Sequence, residues 1–299
     1  MAVPVWWSPA VGHATFPGAD GRIVFAYEAP VPGEGLTQTD LYTMTPDGSD
    51  LQRLTSTPFR NEAAPAWGPD GTRIAFMRTK APFGPGSIWL MDAGGGNQVR
   101  LTSDIDARDP VWSPNGRRIA FTRFGGRVAV DVMTMRAADG GGRRRITPWP
   151  SREFEPAWSP DGDSIAFTRG FETGDVGDIW TIDLATGKAT QVTSSPAYDH
   201  QASWSPDGAT LVLERTFDIN SKIAVVHPDG SGFEAVTRGH FDADPVFSPS
   251  GTRIAFASNR QELFLPDLWV MAPDGSAVQR VRNRPYASIM PDWQPLTET

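Results

Sequence analysis

The feature that most constrains this 299-residue chain is a repeat. An aromatic residue is followed seven positions later by a β-branched residue or leucine at Trp67/Ile74, Trp112/Ile119, Trp158/Ile165, Trp204/Leu211 and Phe247/Ile254, and more loosely at Phe16/Ile23. From Trp67 the aromatics recur at 112, 158, 204, 247 and 293, in steps of 45, 46, 46, 43 and 46 residues. A period near 45 implies one supersecondary unit copied along the chain, each copy unable to bury its own faces alone.

Each copy reads as four short strands. The first ends at the repeat aromatic, and the second is a strongly apolar run such as Ile165-Ala166-Phe167. Between them lie Asp70-Gly71, Asn115-Gly116, Asp161-Gly162 and Asp207-Gly208, where Gly accepts positive φ and Asp or Asn bonds locally to the backbone. A third apolar strand, a second turn such as Asp139-Gly140, and a fourth strand ending in a hydrophobic-Thr pair such as Leu101-Thr102 complete the unit. Four strands every 45 residues or so make a propeller blade. The predicted fold is therefore all-β, a six-bladed β-propeller with four-stranded antiparallel blades.

One further first-strand motif remains at Ile289 to Trp293, while blade one has a weak first strand of its own. Closure by pairing of the N- and C-terminal strands follows, with residues 288–293 beside residues 22–27. Residues 1–15 read as an arm or partial strand, and residues 16–299 as a single propeller. The insertions at 29–39, 81–86, 172–177 and 260–266 fall between second and third strands and read as ordinary surface connections.

Composition narrows the function classes. With 27 basic and 35 acidic side chains the formal charge is −8, which disfavours a nucleic-acid partner, since a phosphate-backbone binder needs a positive face. The Arg143-Arg144-Arg145 run reads as solvated strand or turn surface. No cysteine occurs, which excludes disulfides and thiolate chemistry. No apolar run of about 18 residues is present, so no integral membrane segment is expected.

The motifs Pro65-Ala66-Trp67-Gly68-Pro69-Asp70-Gly71, Pro110-Val111-Trp112-Ser113-Pro114-Asn115-Gly116 and Pro156-Ala157-Trp158-Ser159-Pro160-Asp161-Gly162 resemble those of TolB-like propellers, the WD40-like Asp-Pro repeat family. Weaker copies at Trp204 and Phe247 extend the resemblance over residues 20 to 295. It implies a six-bladed propeller used as a binding scaffold. TolB proteins are periplasmic and contact a peptidoglycan-associated lipoprotein and other Tol components. They carry an α/β domain before the repeats, whereas here the repeats begin almost at once. If the resemblance carries over and a signal peptide preceded this sequence, the location is periplasmic or otherwise extracytoplasmic; otherwise it is cytoplasmic.

Repetition turns distant positions into neighbours around an axis. Three and five positions before the repeat aromatic stand Glu62, Asp109, Glu153, Glu155, Asp199, Gln201, Asp242 and Asp244, with His200 nearby. These are expected at one channel mouth, where an acidic rim would take a cationic protein partner or a small ligand. Asp109, Glu155 and Asp244 are the candidate ligands for calcium, a hard cation that prefers carboxylate oxygens. Arg152, Phe154 and Trp149 are further binding candidates, the last two as exposed recognition aromatics. Arg78, Arg123, Arg169 and Arg215 are expected to pair with the repeated acids between blades. The repeat tryptophans read as core, and Ser159, Ser205 and Ser248 as hydrogen-bonding groups in bends rather than nucleophiles.

The function that follows is a noncatalytic ligand- or protein-binding propeller, envelope-associated if the resemblance holds. The alternative is a channel-mouth enzyme, a carbohydrate lyase or hydrolase with or without a metal, using Asp199, His200, Asp242 or Asp244. In that reading His200 would be the general base.

Overall fold

The computed structural model describes residues 12, 15–31, 37–80, 84–125, 130–171, 174–217, 220–238, 240–261, 265–281 and 286–296. Most of the expected N-terminal arm lies outside them, as do residues 32–36, 81–83, 172–173 and 262–264 within the insertions at 29–39, 81–86, 172–177 and 260–266, whose flanks at 29–30, 37–39 and 174–177 are strand. The described residues form 24 strands in six antiparallel blades. The inner strands are Ser288–Leu296 in blade one, then Arg60–Trp67, Asp106–Trp112, Arg152–Trp158, Tyr198–Trp204 and Asp242–Phe247. They touch one another in cyclic order around the axis. One parallel bridge, Val130 to Arg152, joins blades three and four at the mouth end.

The ring closes as the sequence predicts. Ala19–Pro30, the second strand of blade one, pairs with Ser288–Leu296, matching Ile23 with Trp293 and Tyr27 with Ser288. The looser Phe16/Ile23 spacing is thereby corrected: Phe16 lies outside the strand, and Trp293 takes the repeat-aromatic place. Closure leaves no open seam between first and last blades.

Between blades the core is built from repeat positions. Phe25, Phe76, Phe121, Phe167 and Phe256 occupy the same place in five second strands and are wholly buried. Full burial of each stabilises the fold by roughly 2–3 kcal/mol. Trp67, Trp112, Trp158, Trp204, Phe247 and Trp293 are also buried, so the repeat aromatics are packing groups.

The polar part of the motif is equally legible. Ser159 Oγ accepts from Ser164 N at 2.9 Å and donates to Asp161 Oδ1 at 2.5 Å, pinning the hairpin, while Gly162 adopts φ +79°. Successive turns then stack: a Cβ on Gly116, Gly162 or Gly208 would lie 3.4–3.6 Å from the proline of the preceding blade's turn, Pro69, Pro114 or Pro160. The hydrophobic-Thr endings have a similar local cause. The hydroxyls of Thr55, Thr102, Thr147, Thr193 and Thr237 accept from the backbone N–H of Leu41, Ile88, Val132, Ile179 and Ile223 at 2.8–3.0 Å. Each satisfies a donor that the very short fourth strand cannot reach. Those outer strands contain only two or three residues, as in Gln52–Arg53 and Ala189–Gln191.

A chain ending before Ala287 loses the inner strand of blade one and exposes Val24, Phe25 and Met290's neighbours to water. Its thermal unfolding, followed by circular dichroism, is expected to lose cooperativity or to shift down by more than 10 °C, roughly the effect of several kcal/mol in a domain this size; an unchanged transition would refute the closure.

Candidate functional site

The inner strands carry a backbone irregularity that decides where every candidate side chain points. Three residues before each repeat aromatic, Ala64, Asp109, Glu155, Gln201, Asp244 and Met290 all adopt φ between +51° and +56°. Pairing with the second strand shifts register at the same place, as between Phe154 and Ala157 or His200 and Ser203. This is a β-bulge repeated in every blade. Left-handed backbone is costly for a residue with a Cβ, so it needs compensation.

The compensation is circumferential. The N–H of Gln201 donates to Glu155 Oε2 at 2.9 Å, that of Asp244 to Gln201 Oε1 at 3.2 Å, and that of Met290 to Asp244 Oδ2 at 3.1 Å. Ala64 N approaches Met290 Sδ at 3.4 Å, and Glu155 N donates to Thr122 Oγ1 at 3.1 Å. These five bulge donors are thus received by the preceding blade. Gln201 Nε2 adds a bond to Asp244 Oδ1 at 2.9 Å.

Five positions before the aromatic, the acids have another fate. Glu62, Glu153, Asp199 and Asp242 are completely buried. Glu62 faces Arg78 across the hairpin and accepts from its Nε at 2.6 Å; Asp199 takes a bidentate pair from Arg215 at 2.6 and 2.7 Å. Glu153 stands opposite Arg169 at 3.7 Å. Asp242 is held by Ser258 and by Arg260, the latter at 2.9 Å. In blade three Ala107 occupies the acid's place, and Arg123 turns to Asp131 on the third strand. These pairs lie within blades, which corrects the expected pairing between blades. Several arginines are also sandwiched on aromatics: Arg78 lies over Trp89 at 4.4 Å, and Arg169 over both Trp149 and Trp180 at 4.9 Å. Trp149 also stacks on Phe167 and is half-buried, so the expectation of an exposed recognition aromatic is corrected at that position.

The rim is therefore not the acidic ring that spacing suggested. Its half-buried groups lie four and six positions before the aromatic: Arg108, Phe154, His200 and Ile289, with Arg152 and Tyr198. Asp109, Glu155 and Asp244 sit below them, at most 4% exposed. The −4 residues carry this surface because the bulge withdraws the −3 side chains toward the neighbouring blade. Nothing in the spacing alone marks Tyr198 or Glu214 as part of this assembly; Glu214 could have been noticed as a carboxylate in a second strand where the other blades carry Met, Thr or Ala.

His200 is the centre of the charged part. Its Nε2 lies 3.1 Å from Thr216 Oγ1 and 3.5 Å from Glu214 Oε1, and its Nδ1 is 3.9 Å from Glu155 Oε1. Tyr198 packs beside the ring, 4.5 Å between centroids. Burial alone would lower the imidazole pKa, but Glu214, Glu155 and Asp244 together outweigh it and hold it up at about 9. His200 is consequently protonated at neutral pH and unable to accept a proton as a base. Burial, and then the charge of Glu155, push Asp109 up to about 8. Burial also raises Glu155, Glu62 and Glu153. Asp199 and Asp242 are held by arginines, and Asp244 by Gln201 and Met290.

The oxygens of Glu155 and Asp244 are used by Thr168, Gln201 and Met290, and among the described residues no group of three or more His, Asp or Glu side chains is placed to hold a metal ion.

The TolB beta propeller domain family matches residues 107–297. The chain belongs to that family. A 66-residue stretch, 22% of the chain, is 39% identical to the Tol-Pal system protein TolB 1 of Novosphingobium aromaticivorans, and spans only 14% of that relative. The fold is similar to that of TolB from Acinetobacter baumannii, with a TM-score of 0.78 at 23% identity, covering 92% of this chain and 67% of that one. A putative TolB from Agrobacterium tumefaciens superimposes with a TM-score of 0.69 at 21% identity, over 91% of this chain and 92% of the other. Among the described residues no helix is long and apolar enough to cross a membrane.

The raised groups set a pH dependence. His200 titrates near 9 when folded against 6.5 as its ordinary value, so its stabilisation is complete below pH 6.5 and is lost as pH rises through 9. Asp109, raised from 3.8 to about 8, acts in the same direction between those values. Urea unfolding is expected to show several kcal/mol less stability at pH 9 than at pH 6, with His200→Gln removing about half of that slope and Asp109 supplying the rest. A variant with the wild-type slope would exclude His200 as its source.

Proposed function

We propose that this chain is a noncatalytic protein-binding propeller of the cell envelope. Its partner docks on the mouth formed by Arg108, Arg152, Phe154, Tyr198, His200 and Ile289. The observation that carries this reading is the separation of two layers: half-buried cationic and aromatic side chains lie above carboxylates that are already hydrogen-bonded. A surface of Arg and aromatic groups on a rigid base has the composition of a protein-binding hot spot.

A small substrate is less well suited. Cavities of about 330 and 370 Å³ open elsewhere, one beside Trp204 and the Asp161 and Asp207 turns, the other beside Arg215 and Phe217. Neither is lined by His200 or the bulge residues. Membership of the TolB family, and likeness to a protein of the Tol-Pal system, support an extracytoplasmic location and a lipoprotein partner. The peptidoglycan-associated lipoprotein is the first candidate.

Isothermal titration with the purified soluble domain of that lipoprotein is expected to give a 1:1 complex. Phe154→Ala and Arg152→Glu should each weaken it at least tenfold, about 1.4 kcal/mol, without changing the melting temperature. No complex, or one indifferent to both variants, would reject the mouth as the docking surface. A calcium titration of the free protein is expected to leave its melting temperature within 1 °C; a saturable rise abolished by Asp109→Asn would instead place an ion among Asp109, Glu155 and Asp244.

A further inference from the structure

Five blades turn between third and fourth strands through a left-handed residue at one repeat position. Asp50, Asn97, Gly142, Gly232 and Ala277 stand four residues before Leu54, Leu101, Ile146, Val236 and Val281, with φ between +47° and +68°. In blade one that residue supplies a counter-ion. Arg22 Nε donates to Thr43 Oγ1 at 3.1 Å, while its Nη1 and Nη2 donate to Asp50 Oδ2 at 2.6 Å and Asp50 O at 2.5 Å. One hydroxyl, one carbonyl and one carboxylate thus hold the guanidinium.

Blade three keeps this frame without the carboxylate. Arg118 stands at the place of Arg22, and its Nη2 donates to Thr134 Oγ1 at 2.8 Å and to Gly142 O at 3.0 Å. Gly142 replaces Asp50, so the turn residue offers no charge. The glycines admit a further cation instead: a Cβ on Gly142 would lie 2.9 Å from Arg136 Nη1, and one on Gly141 2.4 Å from Arg136 Nη2. Arg136 is directly opposite Arg118 across the hairpin, and Arg144 directly opposite Thr134, so the three arginines share one face of the sheet. Asp139 pairs with Arg136 at 2.8 Å. Among the described residues Arg118 and Arg144 meet no carboxylate. Like charges directly across two strands are destabilising, and burial, followed by the charges of Arg144 and Arg136, lowers the pKa of Arg118. The chain as a whole carries a formal charge of −8, so this cationic cluster is a local feature of blade three.

We propose that the Gly142 turn of blade three is a binding site for a phosphate monoester, held by Arg118, Arg136 and Arg144. Blade one marks where an anionic oxygen belongs, because Asp50 places its carboxylate against the equivalent arginine. Two negative charges on the monoester match the two guanidinium groups that no carboxylate meets, Arg118 and Arg144. Arg136 is exposed and supplies a third donor from the turn itself. Guanidinium forks and phosphate oxygens form paired, charge-assisted hydrogen bonds, and a cluster of forks favours phosphate over a single carboxylate. Such a monoester is carried either by a soluble compound or by a lipid headgroup. Arg118 follows the Asn115-Gly116 turn, so the site lies at the end of the blade away from the mouth and does not depend on the protein partner proposed there.

The test is calorimetric titration of the full chain with inorganic phosphate at low ionic strength and mildly alkaline pH, where phosphate is a dianion. Binding is expected to be saturable and 1:1, at least tenfold weaker for Arg144→Gln and absent in Gly142→Asp, whose side chain would supply the carboxylate seen in blade one. Asp50 already adopts the same left-handed backbone, and the added Cβ meets only the far end of Arg136, so Gly142→Asp is expected to melt no lower than the wild type. Acetate should compete at least tenfold less well than phosphate; equal competition would overturn the assignment to a dianion. Co-sedimentation with phosphatidylcholine vesicles containing phosphatidic acid, a lipid monoester, separates the two sources. Sedimentation that Gly142→Asp abolishes supports a lipid headgroup, and phosphate binding without sedimentation supports a soluble ligand. The absence of saturable phosphate binding, or binding that survives both substitutions, overturns the proposal.

Discussion

Everything near the axis depends on one backbone constraint, the left-handed residue that interrupts each inner strand. The bulge N–H groups of Ala64, Glu155, Gln201, Asp244 and Met290 each meet a side chain of the preceding blade. Such a residue costs on the order of 1–2 kcal/mol in isolation. Placed in a ring, they persist because five of the donors they release are captured across the blade boundary. The blades are thereby joined by polar contacts at the centre and by apolar ones farther out, where Phe25 and its equivalents fill the gaps. Closure by Ser288–Leu296 brings Asp292 and Met290 into the same circuit.

The ring is not uniform. On one side Ala64 and Met290 are apolar, while Glu155, Gln201 and Asp244 on the other side accept and donate along a charged path. His200 and Glu214 belong to that charged side, and blade five supplies both. A sixfold scaffold thus acquires a single polar sector, and the aromatic and cationic groups of the mouth lie against it. Direction in the plane of the ring comes from side-chain substitution at equivalent positions, because the backbone is nearly the same in every blade.

Much of this architecture was readable in the chain, and the part that was not has a definite cause. The Trp158-Ser159-Pro160-Asp161-Gly162 motif and its copies predicted strand, turn and blade number because each residue does local work. Strand alternation with a period of two would place Glu153 and Glu155 on one face, and so at one mouth. The bulge between Phe154 and Ala157 breaks that alternation, leaving Glu153 on its cross-strand arginine and sending Glu155 to the next blade. No composition rule flags a bulge whose left-handed position is filled by Ala, Asp, Glu, Gln and Met. The contacts of Gly12 and Thr15 with inner strands of blades four, five and six were equally hidden, since a glycine and a threonine ahead of the first strand carry no periodic signal.

The shortness of the outer strands has a consequence for the molecule's social behaviour. A propeller turns the last strand of every blade toward solvent, and a long row of unpaired main-chain groups there would invite another sheet to continue it. Fourth strands of two or three residues offer too little length for such continuation, and basic side chains such as Arg53, Arg100, Arg144 and Arg280 stand on them. The circumference is thus resistant to edge-to-edge growth.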